Sequence, residues 1–210
     1  MTGTRAAVLV IGAGPVGLSA AIALRQRGIH VEVLEKRPAR DSFTSRALVV
    51  HARTLEVLES LEVTDTLLAS GHRASSFTFW DASKTLLRLP FDDLPTKYPF
   101  MLIVPQWRTE QILEARLRSL GVEVRYGWTF TGLRQEADHV DADVLTPDDE
   151  RRTIQAELLV GADGGRSVVR QAAGIAFSTE NTPVIIFWRT SSCRRTSTTG
   201  ACTTSCPRRG

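Results

Sequence analysis

Three glycines, Gly12, Gly14 and Gly17, are spaced G-x-G-x-x-G between an apolar run, Ala6–Ile11, and a Leu- and Ala-rich stretch from Leu18 to Arg27. That arrangement suits the binding of a dinucleotide pyrophosphate. The first glycine permits the tight turn, the second lets backbone approach the phosphates, and the third lets a helix pack close to the strand. A helix N-terminus at this point adds free N–H groups and a partial positive charge. Glu35 closes the next apolar run, Val31–Glu35, 18 residues beyond Gly17. A carboxylate there is placed to accept both hydroxyls of an adenosine ribose and to repel a 2′-phosphate, so the nucleotide expected is FAD or NAD rather than NADP.

The elements that must hold these residues are legible in the pattern. Ala6–Ile11 and Val31–Glu35 read as buried parallel strands joined by a crossover helix over 18–27, with Gly28 as its stop. Residues 36–51 read as polar and irregular. Helical spacing of Leu55, Leu58 and Leu61 predicts a helix over 54–61, and a second short one follows over 64–69. Residues 77–80 and 86–89 read as a hairpin, 101–104 as a short strand, and 109–120 as an amphipathic helix closed by Gly121. Beyond it, 122–125, 129–133, 139–145 and 153–156 read as the short strands of a meander. Residues 158–160 form a last parallel strand entering Gly161-Ala162-Asp163-Gly164-Gly165, and 167–173 a short helix. The class is α/β with a Rossmann-like beginning.

Two further segments accompany the glycine motif: Ser45-Arg46-Ala47-Leu48-Val49-Val50-His51-Ala52-Arg53-Thr54-Leu55-Glu56 and Leu159-Val160-Gly161-Ala162-Asp163-Gly164-Gly165-Arg166-Ser167. The three in this order resemble the single-component FAD-dependent aromatic monooxygenases, the family of para-hydroxybenzoate hydroxylase and phenol hydroxylase, over residues 6 to about 177. The resemblance implies a Rossmann-like FAD-binding domain with a β-meander and part of a substrate-domain sheet (within 75–105). It also implies FAD as cofactor, NAD(P)H as co-substrate and a small phenolic or polyketide substrate. By position, Gly12, Gly14 and Gly17 hold the FAD pyrophosphate and Glu35 the adenosine ribose. Arg46 reaches the FAD near its pyrophosphate, Gln106 bonds the ribitol side, and Asp163 serves both FAD and the nicotinamide nucleotide. Arg53 is expected to support the fold through Glu56 or Glu35. No catalytic base is assigned. An NAD-linked dehydrogenase and a non-catalytic FAD-binding remnant stand as alternatives.

Composition bounds these readings. The formal charge of the 210 residues is +3, but Arg194, Arg195, Arg208 and Arg209 supply +4 of it, leaving the other 190 residues at −1. A nucleic-acid footprint is therefore not expected. All three cysteines, Cys193, Cys202 and Cys206, lie in the same tail, so the body has no disulfide framework. Four scattered histidines (30, 51, 72 and 139) lack metal-ligand spacing, and no metal is expected. No apolar run is long enough to cross a membrane or to serve as a signal peptide, so the expected location is the cytoplasm. Residues 1–187 are read as a partial FAD-binding domain and 188–210 as a low-complexity, disordered tail. The family's later Gly-Asp motif is absent, and the tail's Arg, Ser, Thr, Cys and Pro are what a GC-rich gene yields out of frame. The expectation is a C-terminally truncated or frameshifted product.

Overall fold

The computed structural model describes residues 6–40, 48–81 and 84–178. Its centre is a six-stranded sheet. Strand β1 (Ala6–Ile11) leads into helix α1 (Pro15–Arg25), which returns the chain to β2 (Val31–Glu35), parallel to β1. β1 is almost entirely buried, as a parallel strand covered on both faces must be. Pro15 opens α1, where its missing N–H costs nothing, so the helix starts three residues earlier than apolar spacing indicated. Gly28, at φ +78°, turns the chain out of it.

After β2 come a two-residue strand β3 (Val49–Val50), helix α2 (Ala52–Glu59) and helix α3 (Thr64–Ser70). Strands β4 (His72–Ala74) and β7 (Met101–Ile103) join β3 in a small antiparallel sheet of order β3-β7-β4. Between them, β5 (Ser76–Asp81) and β6 (Lys84–Pro90) form a separate antiparallel hairpin in which every residue of β6 is exposed. Helix α4 (Gln106–Ser119) buries Ile112, Leu113 and Leu117 in the core shared with α1. Each such leucine is worth about 1.5–3 kcal/mol of burial. Gly121, at φ +80°, ends that helix.

Three sequence expectations change here. The chain from 122 does not enter the meander directly: β8 (Val124–Tyr126) pairs parallel with β2 at the sheet edge. The meander is β9 (Thr129–Gln135), β10 (Val140–Leu145) and β11 (Arg151–Gly161). The stretches 153–156 and 158–160 are one continuous strand. Its first half pairs antiparallel with β10 and its second half parallel with β1, sharing Ala156. Polar residues on the exposed half of β11 concealed its continuity. Residues 49–50, within the stretch read as irregular, are β3.

The sheet order is β8-β2-β1-β11-β10-β9. One face packs Val8, Val10 and Val33 against Leu18, Ile22 and Leu113. On the other face, Leu9, Ile11 and Leu34 meet Phe130, Ala142 and Val144 of the meander. The meander thus curls back over the sheet, and Trp128 N–H donates to Glu35 C=O at 3.0 Å. Helix α5 (Val168–Ala172) closes this second face with Val169. The tail 188–210 lies outside the described residues.

Candidate functional site

Strands β1 and β11 leave the sheet side by side. Ile11 is in register with Gly161, and Ala162 N–H donates to Ile11 C=O at 2.8 Å. On the other flank Gly12 N–H donates to Leu34 C=O at 2.7 Å. The chain order reverses direction at β1, with β2 on one side and β11 on the other. In an open α/β sheet the crevice outside the carboxyl ends at such a point is where ligands bind.

The three glycines have different physical duties. Gly12 sits at φ +106°, and a Cβ on it would stand 2.4 Å from Ala162 C=O. A Cβ on Gly17 would stand 1.9 Å from Gly12 C=O. Both are therefore demanded by packing: backbone meets backbone, and no rotamer relieves it. Gly14 is different. Its φ of −75° suits any residue, and nothing lies within 4 Å of a Cβ built there. It caps α1 with no side-chain hydrogen bond, and the first turn carries no acid. The helix terminus therefore faces open space with no side-chain cap and no acid in its own first turn, which fits a diphosphate.

Glu35 is buried at the end of β2, beside this turn. Its Oε2 accepts from Ala13 N–H at 2.8 Å, inside the glycine motif. Its Oε1 accepts from Arg37 N–H at 3.0 Å and from Arg37 Nε at 3.1 Å, and Arg37 Nη2 reaches Oε2 at 3.4 Å. Burial pushes the carboxyl pKa up, but the backbone N–H groups of Arg37 and Ala13 and the Arg37 guanidinium outweigh it. The net displacement is below the ordinary value. The glycine turn and the acidic strand end are thus one hydrogen-bonded unit.

Gln106 is the first residue of α4 rather than a residue ahead of the helix, and its Nε2 donates to Glu110 Oε1 at 2.8 Å. Asp163 lies in the turn beside Gly12, but its carboxylate faces helix α5. It accepts from Ser167 Oγ, from Val168 N–H at 2.6 Å and from Val169 N–H at 3.2 Å. That is capping work, shared with the N-cap Ser167, whose Oγ accepts from Arg170 N–H at 2.9 Å, and the following Gly164 sits at φ +87°. Arg46 lies outside the described residues. Arg53 bonds Glu56 at 2.9 Å and is otherwise exposed, a surface pair. The structure therefore brings Gly12, Gly14, Gly17, Glu35 and Asp163 to the carboxyl ends of the central strands and ties Gln106 to them through side chains.

Sequence reasoning missed those tying residues. Arg37 Nη1 reaches Glu110 Oε2 at 3.4 Å. One turn along α4, Glu114 accepts from Arg40 Nη1 at 2.6 Å, Tyr126 Oη at 3.0 Å and Arg118 Nη2 at 3.3 Å. Burial, then the Glu114 charge, pushes the Tyr126 phenol well above its usual range. Glu110 and Glu114 are both buried, an unusual state for two carboxylates four apart on one helix. That apolar-side placement within the helix period was the available signal.

Fold and site together define a Rossmann-like α/β domain with a mixed sheet and a dinucleotide turn. The chain belongs to the FAD binding domain family, whose model matches residues 5–194, past residue 177, where the resemblance was expected to end. It is 40% identical over 170 residues to 6-methylpretetramide 4-monooxygenase of Streptomyces rimosus, covering 80% of this chain and 30% of that protein. It is 34% identical over 178 residues to pentachlorophenol 4-monooxygenase of Sphingobium chlorophenolicum, covering 84% and 33%. The crystal structure of p-nitrophenol 4-monooxygenase from Pseudomonas putida DLL-E4 superposes with a TM-score of 0.77 at 27% identity, over 82% of this chain and 44% of that one. The chain spans about a third of the length of the curated relatives it matches. Among the described residues no helix is long and apolar enough to cross a membrane.

Proposed function

We propose that this chain is the FAD-binding portion of a flavin-dependent monooxygenase acting on small phenolic or polyketide aromatics with NAD(P)H and O₂. The observation that carries the reading is Gly14, open in front of an uncapped helix terminus and joined through Ala13 to the buried Glu35. Relatives named for pentachlorophenol and 6-methylpretetramide support the substrate class.

In this reading the amides at the start of α1 and the turn at Gly12–Gly14 hold the pyrophosphate, with Gly17 keeping the helix close enough to present them. Glu35 holds the adenosine ribose. It is kept ionised and aimed by Ala13 and Arg37, so that it accepts rather than donates. Arg46 adds cationic charge toward the diphosphate. Gln106 addresses the ribitol side from the start of α4. Asp163, whose carboxylate is engaged by the first turn of α5, serves FAD and the nicotinamide nucleotide from the glycine turn in which it lies. Bound flavin supplies the electron transfer from NAD(P)H and the activation of O₂, while the protein supplies binding and orientation. Residues 1–187 are assigned to the FAD-binding unit, with a piece of the substrate domain in 75–105, and 188–210 are left out of that assignment.

The test is a titration of the purified chain with FAD and with FMN, followed by flavin fluorescence and visible absorbance. FAD is expected to bind and FMN to bind far more weakly, because the residues assigned here address the adenosine and pyrophosphate half. Equal affinity for the two, or none for FAD, would overturn the assignment. NAD(P)H oxidation with a panel of phenols, read alongside hydroxylated product, tests the reaction class.

A further inference from the structure

We infer that Arg37 and Glu110 are positioning residues that hold the two ends of the FAD site in register, an inference that rests on the site reading above. The two ends are far apart in sequence and on different elements. Glu35 closes β2, whereas Gln106 opens α4. They are joined by an unbroken line of polar contacts: Ala13 N–H to Glu35, Glu35 to Arg37, Arg37 to Glu110, and Glu110 to Gln106.

The line has little freedom. The side chains of Glu35 and Glu110 are 8% and 5% exposed, and the guanidinium between them serves both. Two buried carboxylates cannot be left without their cation, so each is held where Arg37 can reach it. Arg37 in turn is fixed by its fork onto both Glu35 oxygens. Gln106 and Glu110 stand four apart on one helix face, and the carboxylate accepts from the Gln106 amide and so helps to place it. The amide that addresses the ribitol side is thereby coupled to the strand that addresses the ribose. Neither Arg37 nor Glu110 needs to touch the cofactor to do this.

The test compares two probes on the full chain. ADP carries the adenosine and pyrophosphate but nothing beyond, whereas FAD also engages the Gln106 end. Glu110→Gln keeps the shape of the side chain and removes its charge. It is expected to weaken FAD about tenfold while leaving ADP affinity unchanged. Arg37→Ala is expected to weaken both ligands. The double variant is expected to bind FAD no worse than Arg37→Ala alone, since one line is already cut. Glu110→Asp, shorter by one methylene, is expected to repeat the FAD-selective loss and gives a second chance of a folded variant, thermal denaturation serving as the folding check. Equal losses of FAD and ADP in the Glu110 variants, or additive losses in the double variant, would overturn the relay and leave a clamp that merely supports the fold. Unchanged binding of both ligands in Glu35→Ala would instead overturn the site reading itself.

Discussion

The glycine turn offers a perturbation that separates cofactor binding from folding. At Gly14 the backbone is extended at φ −75° and ψ 178°, and a Cβ meets nothing within 4 Å. Valine fits that conformation, so Gly14→Val costs little beyond a poorer cap, about 1 kcal/mol. For a chain of this size that is a fall of no more than about 4 °C in Tm. The added side chain, however, stands where the phosphates must approach, and FAD affinity is expected to fall at least about a hundredfold, some 2.7 kcal/mol. At Gly17 the balance reverses. A Cβ there lies 1.9 Å from Gly12 C=O, backbone against backbone, so Gly17→Ala must push α1 off the turn. Overpacking of that kind costs about 3 kcal/mol, hence about 6–12 °C in Tm. Thermal denaturation and an FAD fluorescence titration on both variants decide the matter. Wild-type FAD affinity in Gly14→Val would remove Gly14 from the phosphate path. Parallel losses of Tm in the two variants would show that the glycines do not differ in duty.

Further outcomes follow from other contacts. Glu35→Gln places an amide NH₂ among partners that are themselves donors, so stability is expected to fall by about 1.5–3 kcal/mol and FAD binding to weaken, read by denaturant melts and titration. Because the folded-state pKa of Glu35 lies below its ordinary 4.5, its stabilisation is present above that value and is lost as pH falls through the lower one. Acid melts should therefore show a smaller loss below about pH 4.5 in Glu35→Gln than in the wild type, and equal profiles would contradict the assignment. Asp163→Ala removes the acceptor for the first two amides of α5 while Ser167 still caps Arg170 N–H, and is expected to cost about 0.5–2 kcal/mol, with faster amide exchange confined to residues 163–173; exchange unchanged there would refute the capping role. On the hairpin, Leu87 is 47% exposed, so Leu87→Lys should leave stability within about 0.5 kcal/mol while lowering self-association by light scattering.

How far the sequence reached depended on how local the determinant was. The strand, turn and helix at 6–25 are written in consecutive residues, and so are Gly28 and Gly121 as helix stops. Glu35 was legible because its distance from Gly17 is set by one crossover. The pairing of β8 with β2 was not legible, because Val124–Tyr126 has the same short apolar pattern in either sheet position. Asp163 sits in a glycine turn that reads as a ligand loop, and only the position of α5 reveals what its carboxylate meets. Arg37 and Glu110 belong to different elements, and no spacing rule connects a loop arginine to a carboxylate on a distant helix. Buried charge pairs of this kind become visible only when the chain has closed.

The double pairing of β11 bears on the order in which the molecule assembles. Ala6 and Ala156 are in register, so β1, α1 and β2 can form from local contacts while β1 still lacks its other neighbour. Closing so long a stretch of chain is entropically slow, and contacts of this separation are late ones in folding. Ala162, whose carbonyl sits under Gly12, arrives only with the end of β11. During synthesis the nucleotide turn emerges early yet is finished late, and until then the apolar edge of β1 is open to wrong partners. A cofactor that favours the finished turn would draw this slow closure to completion by mass action. Flavin supply during expression should then raise the yield of folded chain, not merely its colour.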